Sequence, residues 1–269
     1  MEGNNKIEIQ HPEAWELLVL IGDSRVSYIL YTPHVANSLI MACVERTDDT
    51  LKGLEDAIYD TPELLNEYKR VRVVVDSHHF VLLPEETEDA DCMALVHSAF
   101  PGDDGDAAVN HLPGNGVKIA YLLPKGLQAF LGRTFNYPAV CHRLVSLCEH
   151  CHEDSQGSDV SRMYVHLCPD MLDVFIFKDG KIHCVNTFPF SDVQDAVYYV
   201  ISAWRAHGMN QLTDELQLMG DNEVRAQMTP ELREFVKFVM PAVYPAAAMH
   251  LGRNAMQAPF ELILLALCE

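Results

Sequence analysis

Positive charge is scarce in this chain: 19 lysines and arginines stand against 39 aspartates and glutamates, a formal net charge of −20. Such a surface repels phosphate backbones and anionic lipid, so neither nucleic acid nor a membrane is an expected partner. Long hydrophobic runs are lacking too. The longest early one, Leu17–Ile21, is far too short to span a bilayer, and the opening MEGNNKIEIQHPEAW has no basic n-region and no apolar h-region. A soluble cytoplasmic protein is expected. The 8 cysteines sit mostly inside apolar stretches (Cys43, Cys184, Cys268) without the spacing of a disulfide scaffold, which points to reduced thiols. There is no Gly-x-Ser-x-Gly, and His78-His79 have no Ser or Cys motif beside them, so nucleophilic catalysis finds no support.

Core-forming residues are plentiful, at 49% hydrophobic over 269 residues, enough for one large domain or two modest ones. The most legible stretch is Met163–Phe190, which reads as a three-stranded meander: Tyr164–Leu167, Leu172–Phe177 and, after an Asp179-Gly180 turn, Ile182–Phe188. A helix follows to about His207, with Ser191 or Asp192 as N-cap before Val193, Val197, Val200, Ile201 and Trp204, and then a strand at Glu215–Leu218. The first half repeats this order. Trp15–Ile21, Arg25–Tyr31 and Asn37–Arg46 read as strands, Thr47–Thr50 caps a helix from Leu51 to about Tyr59, Pro62 opens a turn, and Val71–Asp76 is a Val-rich strand. Both halves thus run strand, strand, strand, helix, strand, an internal structural repeat.

Between the halves, Phe80–Pro84 reads as a strand or its end, Asp91–Ala99 as a short helix, Pro113–Gly116 as a turn into the strand Val117–Leu123, and Pro124 or Lys125 as the start of a helix to about Arg133. Pro138–His150 is expected to be helical, with Cys141, Leu144, Val145 and Cys148 on one face. The polar EDSQGSD, Glu153–Asp159, is the expected linker and divides the chain into lobes of residues 1–156 and 157–269. In the second lobe Thr229-Pro230-Glu231 is expected to open a helix with Leu232, Phe235, Val236 and Val239 as its apolar stripe, and PFELILLALCE is expected to be a buried final element. From Ala107 to Cys148 there is no acid, while Lys118, Lys125, Arg133 and Arg143 are present. The run is read as a partly buried segment, the other reading being a docking face for an acidic partner.

Two clusters carry metal-like spacing. Cys141, Cys148, His150, Cys151 and His152 include one Cys-x-x-Cys, but no second one, and shared helical spacing with Leu144 suits a core face better than zinc. Asp103-Asp104-Gly105-Asp106 lacks the alternating ligands and closing Glu of a calcium loop and reads as a solvated acidic turn. No metal or cofactor is expected.

With HHFVLLPEE (His78–Glu86), VKIAYLLPKGLQAFL (Val117–Leu131), YVHLCPDMLDVFIFKDGK (Tyr164–Lys181) and the doubled β-β-β-α-β order, the chain resembles an uncharacterised Bacteroidales family with the actin-like ATPase (ribonuclease H-like) fold, distantly similar to the pilus-assembly actin-like proteins. The resemblance implies an α/β protein of two lobes, with two hairpin turns of Asp-x-Gly type cradling nucleotide phosphate across a cleft. Here those turns depart from the pattern. Leu20 stands where the first Asp would be, Gly22 is kept with Asp23 and Ser24 beside it, and Ser27 replaces a frequent Lys. In the second turn His166 takes the Asp position and Cys168 the Gly position, Pro169 has no amide to donate, and Asp170 and Asp173 are the acids that remain. The adenosine-contacting Gly-Gly is reduced to Met219-Gly220. These degenerate turns imply a non-catalytic pseudo-ATPase acting as an interaction or scaffold protein, with another protein as its partner. The alternative is an ATP-dependent phosphotransferase or ATPase in which Asp23, Asp170 or Asp173 takes the metal role.

Overall fold

The structure, a computed structural model, describes residues 9–112 and 114–268. Pro113 of the expected turn, Glu269 and the first eight residues of the opening stretch lie outside the described residues. In order, the chain forms β1 (Glu16–Ile21), β2 (Arg25–Tyr31), β3 (Ile40–Glu45), α1 (Leu51–Tyr59), β4 (Arg70–Val75), β5 (Phe80–Pro84), α2 (Asp89–Ala99), β6 (Asp106–Leu112), β7 (Val117–Leu123), α3 (Leu127–Thr134), β8 (Ala139–His142) and α4 (Leu144–Ser155). It continues with β9 (Arg162–Leu167), β10 (Met171–Lys178), β11 (Lys181–Pro189), α5 (Val193–Ala206), β12 (Glu215–Gly220), α6 (Asn222–Leu232), β13 (Phe238–Pro241), α7 (Ala248–Leu251) and α8 (Phe260–Leu267).

Two mixed sheets repeat one topology. The first has the order β3-β2-β1-β4-β8 and the second β11-β10-β9-β12-β13. In each, the first three strands are antiparallel neighbours and the last two join in parallel. β1 and β9 are central and almost wholly buried, β1 through the apolar run Leu17–Ile21 and β9 with His166 among its buried residues. The hairpin between β10 and β11 turns through Asp179 at φ 52° and Gly180 at φ 67°, left-handed values that Asp-Gly tolerates and most pairs do not. Local caps agree with the sequence: Thr50 accepts the Gly53 amide to start α1, and Asp192 accepts the Asp195 amide to start α5. A third sheet, β5-β7-β6, is inserted between β4 and α3, and α2 covers one of its faces through Cys92 and Val96.

The contacts divide the chain into two compact units. One contains the described residues through His111, Val117–Ser146 and the segment from Pro245 on; the other contains Leu112–Gly116 and Leu147–Tyr244. By this division the chain changes unit at Leu112 and Val117, within α4 at Leu147, and again at Pro245. Glu153, Asp154 and Ser155 are the last turn of that helix, and the C-terminal segment groups with the first unit. The latter association has a visible cause. α8 packs on β1, and Arg72 of β4 donates to the carbonyls of Leu265 (2.7 Å) and Cys268 (3.1 Å), satisfying groups that a helix C-terminus leaves orphaned. Arg72 is held from behind by Tyr31 Oη at 2.8 Å, and buried Glu16 binds both Tyr31 and Arg70.

Two expected helices are corrected. Pro138–His150 begins as a strand: Ala139–His142 pair in parallel with Arg72–Val75, so Cys141 lies in a sheet and not on the face of Leu144 and Cys148. Four residues are too few for a period of 2 to be told from one of 3.6. Thr229-Pro230-Glu231 ends a helix instead of opening one. Asp221 is the cap, accepting from the Glu223 and Val224 amides at 2.9 Å, and Pro230 sits in the last turns of α6, while Val239 belongs to β13.

The acid-free run also resolves. Lys118 is buried and pairs with Asp89 at 2.9 Å, Lys125 with Asp104 at 3.1 Å, and buried Arg143 with Asp76. These partners lie outside the run in sequence and, like the three bases themselves, belong to the first unit.

Candidate functional site

The two hairpins that the sequence singles out share one register. Their last pairs are Ile21 with Val26 and Leu167 with Leu172. Each turn then closes through one backbone bond, from the Gly22 amide to the Arg25 carbonyl (3.1 Å) and from the Cys168 amide to the Met171 carbonyl (2.8 Å). Gly22 thus matches Cys168, Asp23 matches Pro169, and Ser24 matches Asp170. One step back along the strands, the row Cys43, Ser27, Leu20, Val74 across the first sheet matches Thr187, Asp173, His166, Met219 across the second.

In the first unit the turn residues Asp23 and Ser24 are exposed and Gly22 is half-buried. Gly22 has no left-handed φ, and a Cβ there would meet only the Arg25 carbonyl at an ordinary 3.5 Å, so the hairpin itself does not demand glycine. Arg46 fastens the turn, its guanidinium donating to the Gly22 carbonyl and its amide to the Ser24 carbonyl at 2.8 Å. Leu20 offers the row no polar atom.

The carboxyl ends of the parallel strands β1, β4 and β8 bring together residues that sequence reasoning left apart. The Asp76 amide donates to Ile21 and the Arg143 amide to Val75, extending the ladder past the strand ends. Asp23 Oδ2 lies 3.3 Å from His78 Nε2, His78 Nδ1 lies 3.9 Å from Asp76, and Asp76 is paired with Arg143. The hydrogen bond to Asp23 raises the His78 pKa above its ordinary value against the cost of burial, and the same bond lowers that of Asp23. The signal was present in the sequence: Asp76 is the first polar residue after RVRVVV, and carboxyl ends of parallel strands are where open α/β sheets bind ligands. Arg143 follows directly on β8, and nothing in Ala139–His142 alone announces that strand.

In the second unit the row is closed on itself. Asp173 and His166 are buried, with Asp173 Oδ2 3.1 Å from His166 Nδ1, and Thr187 Oγ1 donates to Asp173 Oδ1 at 2.7 Å. Cys168 Sγ lies 3.9 Å from the same His166 Nδ1. Thiol and carboxylate face one ring nitrogen, whereas a nucleophilic relay needs them on opposite nitrogens. Asp170 is exposed on the turn, and its carbonyl accepts from the Phe190 amide at 2.9 Å. Gly220, at φ 90°, is demanded by packing: a Cβ would lie 2.3 Å from the Leu167 carbonyl oxygen. The Asp221 amide donates to that carbonyl at 2.7 Å, which is how β12 hands over to α6 beside β9.

The metal-like clusters behave differently from their spacing. Cys148 and Cys151 are fully buried in α4, and burial pushes both thiols up, away from the thiolate that a metal or a redox partner needs. Asp103 accepts from the Gly105 amide at 2.9 Å and faces His79 Nδ1 at 2.7 Å, and Asp106 accepts the Gly126 amide before α3. A surface depression of about 470 Å³ lies beside them, lined by His79, Phe100, Pro101 and Asp103, with the His79 ring stacked on Phe100. Among the described residues no group of three or more His, Cys, Asp or Glu is placed to hold a metal.

The doubled β-β-β-α-β sheets and paired hairpin turns define an actin-like ATPase fold, and solved structures agree. A Bacteroides thetaiotaomicron protein with actin-like ATPase fold and unknown function is similar at 22% identity and TM-score 0.78, covering 96% of this chain and 97% of that one. A chain of the PilM-PilN type IV pilus biogenesis complex is similar at 10% identity and TM-score 0.57, covering 95% and 98%. The chain belongs to the family described as protein of unknown function (DUF3822), whose model matches residues 4–239. No curated protein matches it.

Proposed function

We propose that the chain is a pseudo-ATPase that has kept the fold and acts by binding another protein in the cytoplasm. One observation carries the reading: Asp173, the carboxylate kept in the second row, is buried and already held by His166 and Thr187. A carboxylate so engaged has little left to offer a hydrated metal ion, which binds through exposed oxygen ligands and keeps several of its waters. Leu20 at the matching place in the first row and Pro169 in the second turn point the same way. The net charge of −20 supports a protein partner over nucleic acid or lipid. No helix among the described residues is long and apolar enough to cross a membrane, and the cysteines are free thiols, which suits a reducing compartment. A similar chain occurs in a complex of two proteins, PilM and PilN, which favours a protein as the thing bound.

The alternative, a phosphotransferase with unusual metal ligands, is favoured by Asp23, whose side chain is 69% exposed on the first turn. Its bond to His78 weighs against a free ligand. Thermal unfolding with and without Mg-ATP separates the two. A ligand at a hundred times its dissociation constant stabilises by about 2.7 kcal/mol, and the proposal expects no shift.

A further inference from the structure

The register of β10 against β11 slips once, between Ile176 opposite Cys184 and Phe177 opposite Ile182, leaving His183 as an extra residue on the edge strand. A bulge of this kind re-aims a side chain and increases local twist. Here it brings the His183 ring to 5.4 Å from that of His207, at the C-cap of α5. Lys178 Nζ donates to the His207 carbonyl at 2.7 Å, and exposed Lys181 opens β11 directly opposite Lys178. The surface is crowded with cationic and imidazole groups in a chain that carries twice as many acids as bases. Asp179 in the hairpin turn is a neighbouring acid, and Gln156, just after α4, donates to the Gly180 carbonyl at 2.9 Å, bringing up the helix end that carries Glu153 and Asp154, the latter held by Arg162 and Tyr164; Asp192 and Asp195 stand at the other end of α5.

We propose that this face of the second unit, built from the bulged start of β11 and the end of α5, docks an acidic segment of a partner protein. The argument is charge complementarity together with geometry. Lys178 and Lys181 stand opposite each other on the ladder beside the two imidazoles, and an acidic segment meets their like charges while matching the one sign that the rest of the surface rejects. The edge also discourages a second copy from adding a strand: besides the bulge, Asn186 Oδ1 accepts the Thr187 amide at 2.9 Å and Pro189 ends the strand. The state of His207 supports the assignment. Its pKa is lowered, first by burial and then by His183 and Lys178, so it is largely neutral at neutral pH, and a bound carboxylate restores its proton. Docking is therefore linked to proton uptake and tightens as pH falls.

The inference rests on the reading of the chain as an interaction protein, and its test is separate from the Mg-ATP experiment. The intact protein is titrated with an octaglutamate peptide while the His183 and His207 ring signals are followed by NMR, with octalysine and inorganic phosphate as parallel probes. Saturable shifts with octaglutamate alone, tighter at lower pH and weakened at least about tenfold by Lys181→Glu or by the milder Lys181→Gln with His183→Gln, are expected. Exposed Lys237→Glu should leave binding unchanged. The assignment is overturned if octaglutamate leaves these signals unmoved, if phosphate moves them equally, if Lys237→Glu weakens binding as much, or if the signals change with protein concentration alone, as a second copy on this face would require.

Discussion

His166 of β9 lies directly across the ladder from Asp173 of β10, its Nδ1 3.1 Å from Oδ2, and both side chains are almost wholly buried. Thr187 of β11 closes the other carboxylate oxygen. The row beside the second turn is thus a polar network closed inside the sheet. Removing Asp173 takes a hydrogen-bonding partner from buried His166 and from half-buried Thr187. Asp173→Ala should cost about 1–3 kcal/mol in urea unfolding, the range for leaving a buried polar group unsatisfied. A loss under about 1 kcal/mol, the scale of an exposed pair, would show that the row does not hold the sheet.

Asn110 on β6 bridges to the edge strand β8, accepting the His142 amide at 2.8 Å and donating to the Val140 carbonyl at 3.3 Å. Its side chain imitates a neighbouring strand. Asn110→Ala strands both backbone groups and should destabilise by about 1–3 kcal/mol, whereas Asn110→Leu should do no better despite its apolar bulk. Chemical denaturation of the two variants measures this directly.

Two glycines in the predicted ligand turns should respond in opposite ways. Gly22→Ala meets nothing closer than 3.5 Å and should change stability by no more than about 0.5 kcal/mol. Gly220→Ala drives a Cβ to 2.3 Å from a backbone oxygen at a left-handed φ, so the variant should lose several times as much or fail to accumulate. Equal tolerance at both sites would contradict the close approach of β12 to Leu167.

The Asp23–His78 pair should make stability depend on pH from both sides. His78 is raised, so its contribution is full below its unfolded pKa and is lost as pH rises through the folded value. Asp23 is lowered, so its contribution is present above its unfolded pKa and is lost as pH falls through the folded value. The pair is therefore strongest between the two, across mildly acidic pH. Both side chains are well exposed, so the readout should be the titration itself. By NMR, His78 should titrate above the ordinary histidine value, and Asp23→Asn should bring it down. No change in that variant would break the pairing.

Much of the fold was legible because its signals are local. Arg25–Tyr31, Leu51–Tyr59 and Phe80–Pro84 are bounded in the structure where the sequence bounds them, each by a turn, a cap or a change of period. What was missed depends on pairing over distance. Ala139–His142 is a strand because Arg72–Val75 offers it a parallel edge, and nothing in four residues announces that partner. Pro230 reads as a helix opener until Asp221 is seen to hold the cap. The candidate site followed the same division. The turn residues were found by motif, but the closure of Asp173 by His166 and Thr187 required the register of three strands. The grouping of Asp23, His78, Asp76 and Arg143 required three strand ends to meet.

The central claim is that these turns no longer serve Mg-ATP. Titration calorimetry of the unmodified protein tests it most directly. The account predicts no binding heat with Mg-ATP at micromolar concentrations, and none in Leu20→Asp, because Pro169 and the engaged Asp173 remain in the second turn and row. Micromolar affinity, or measurable ATP hydrolysis, in the unmodified protein would contradict it.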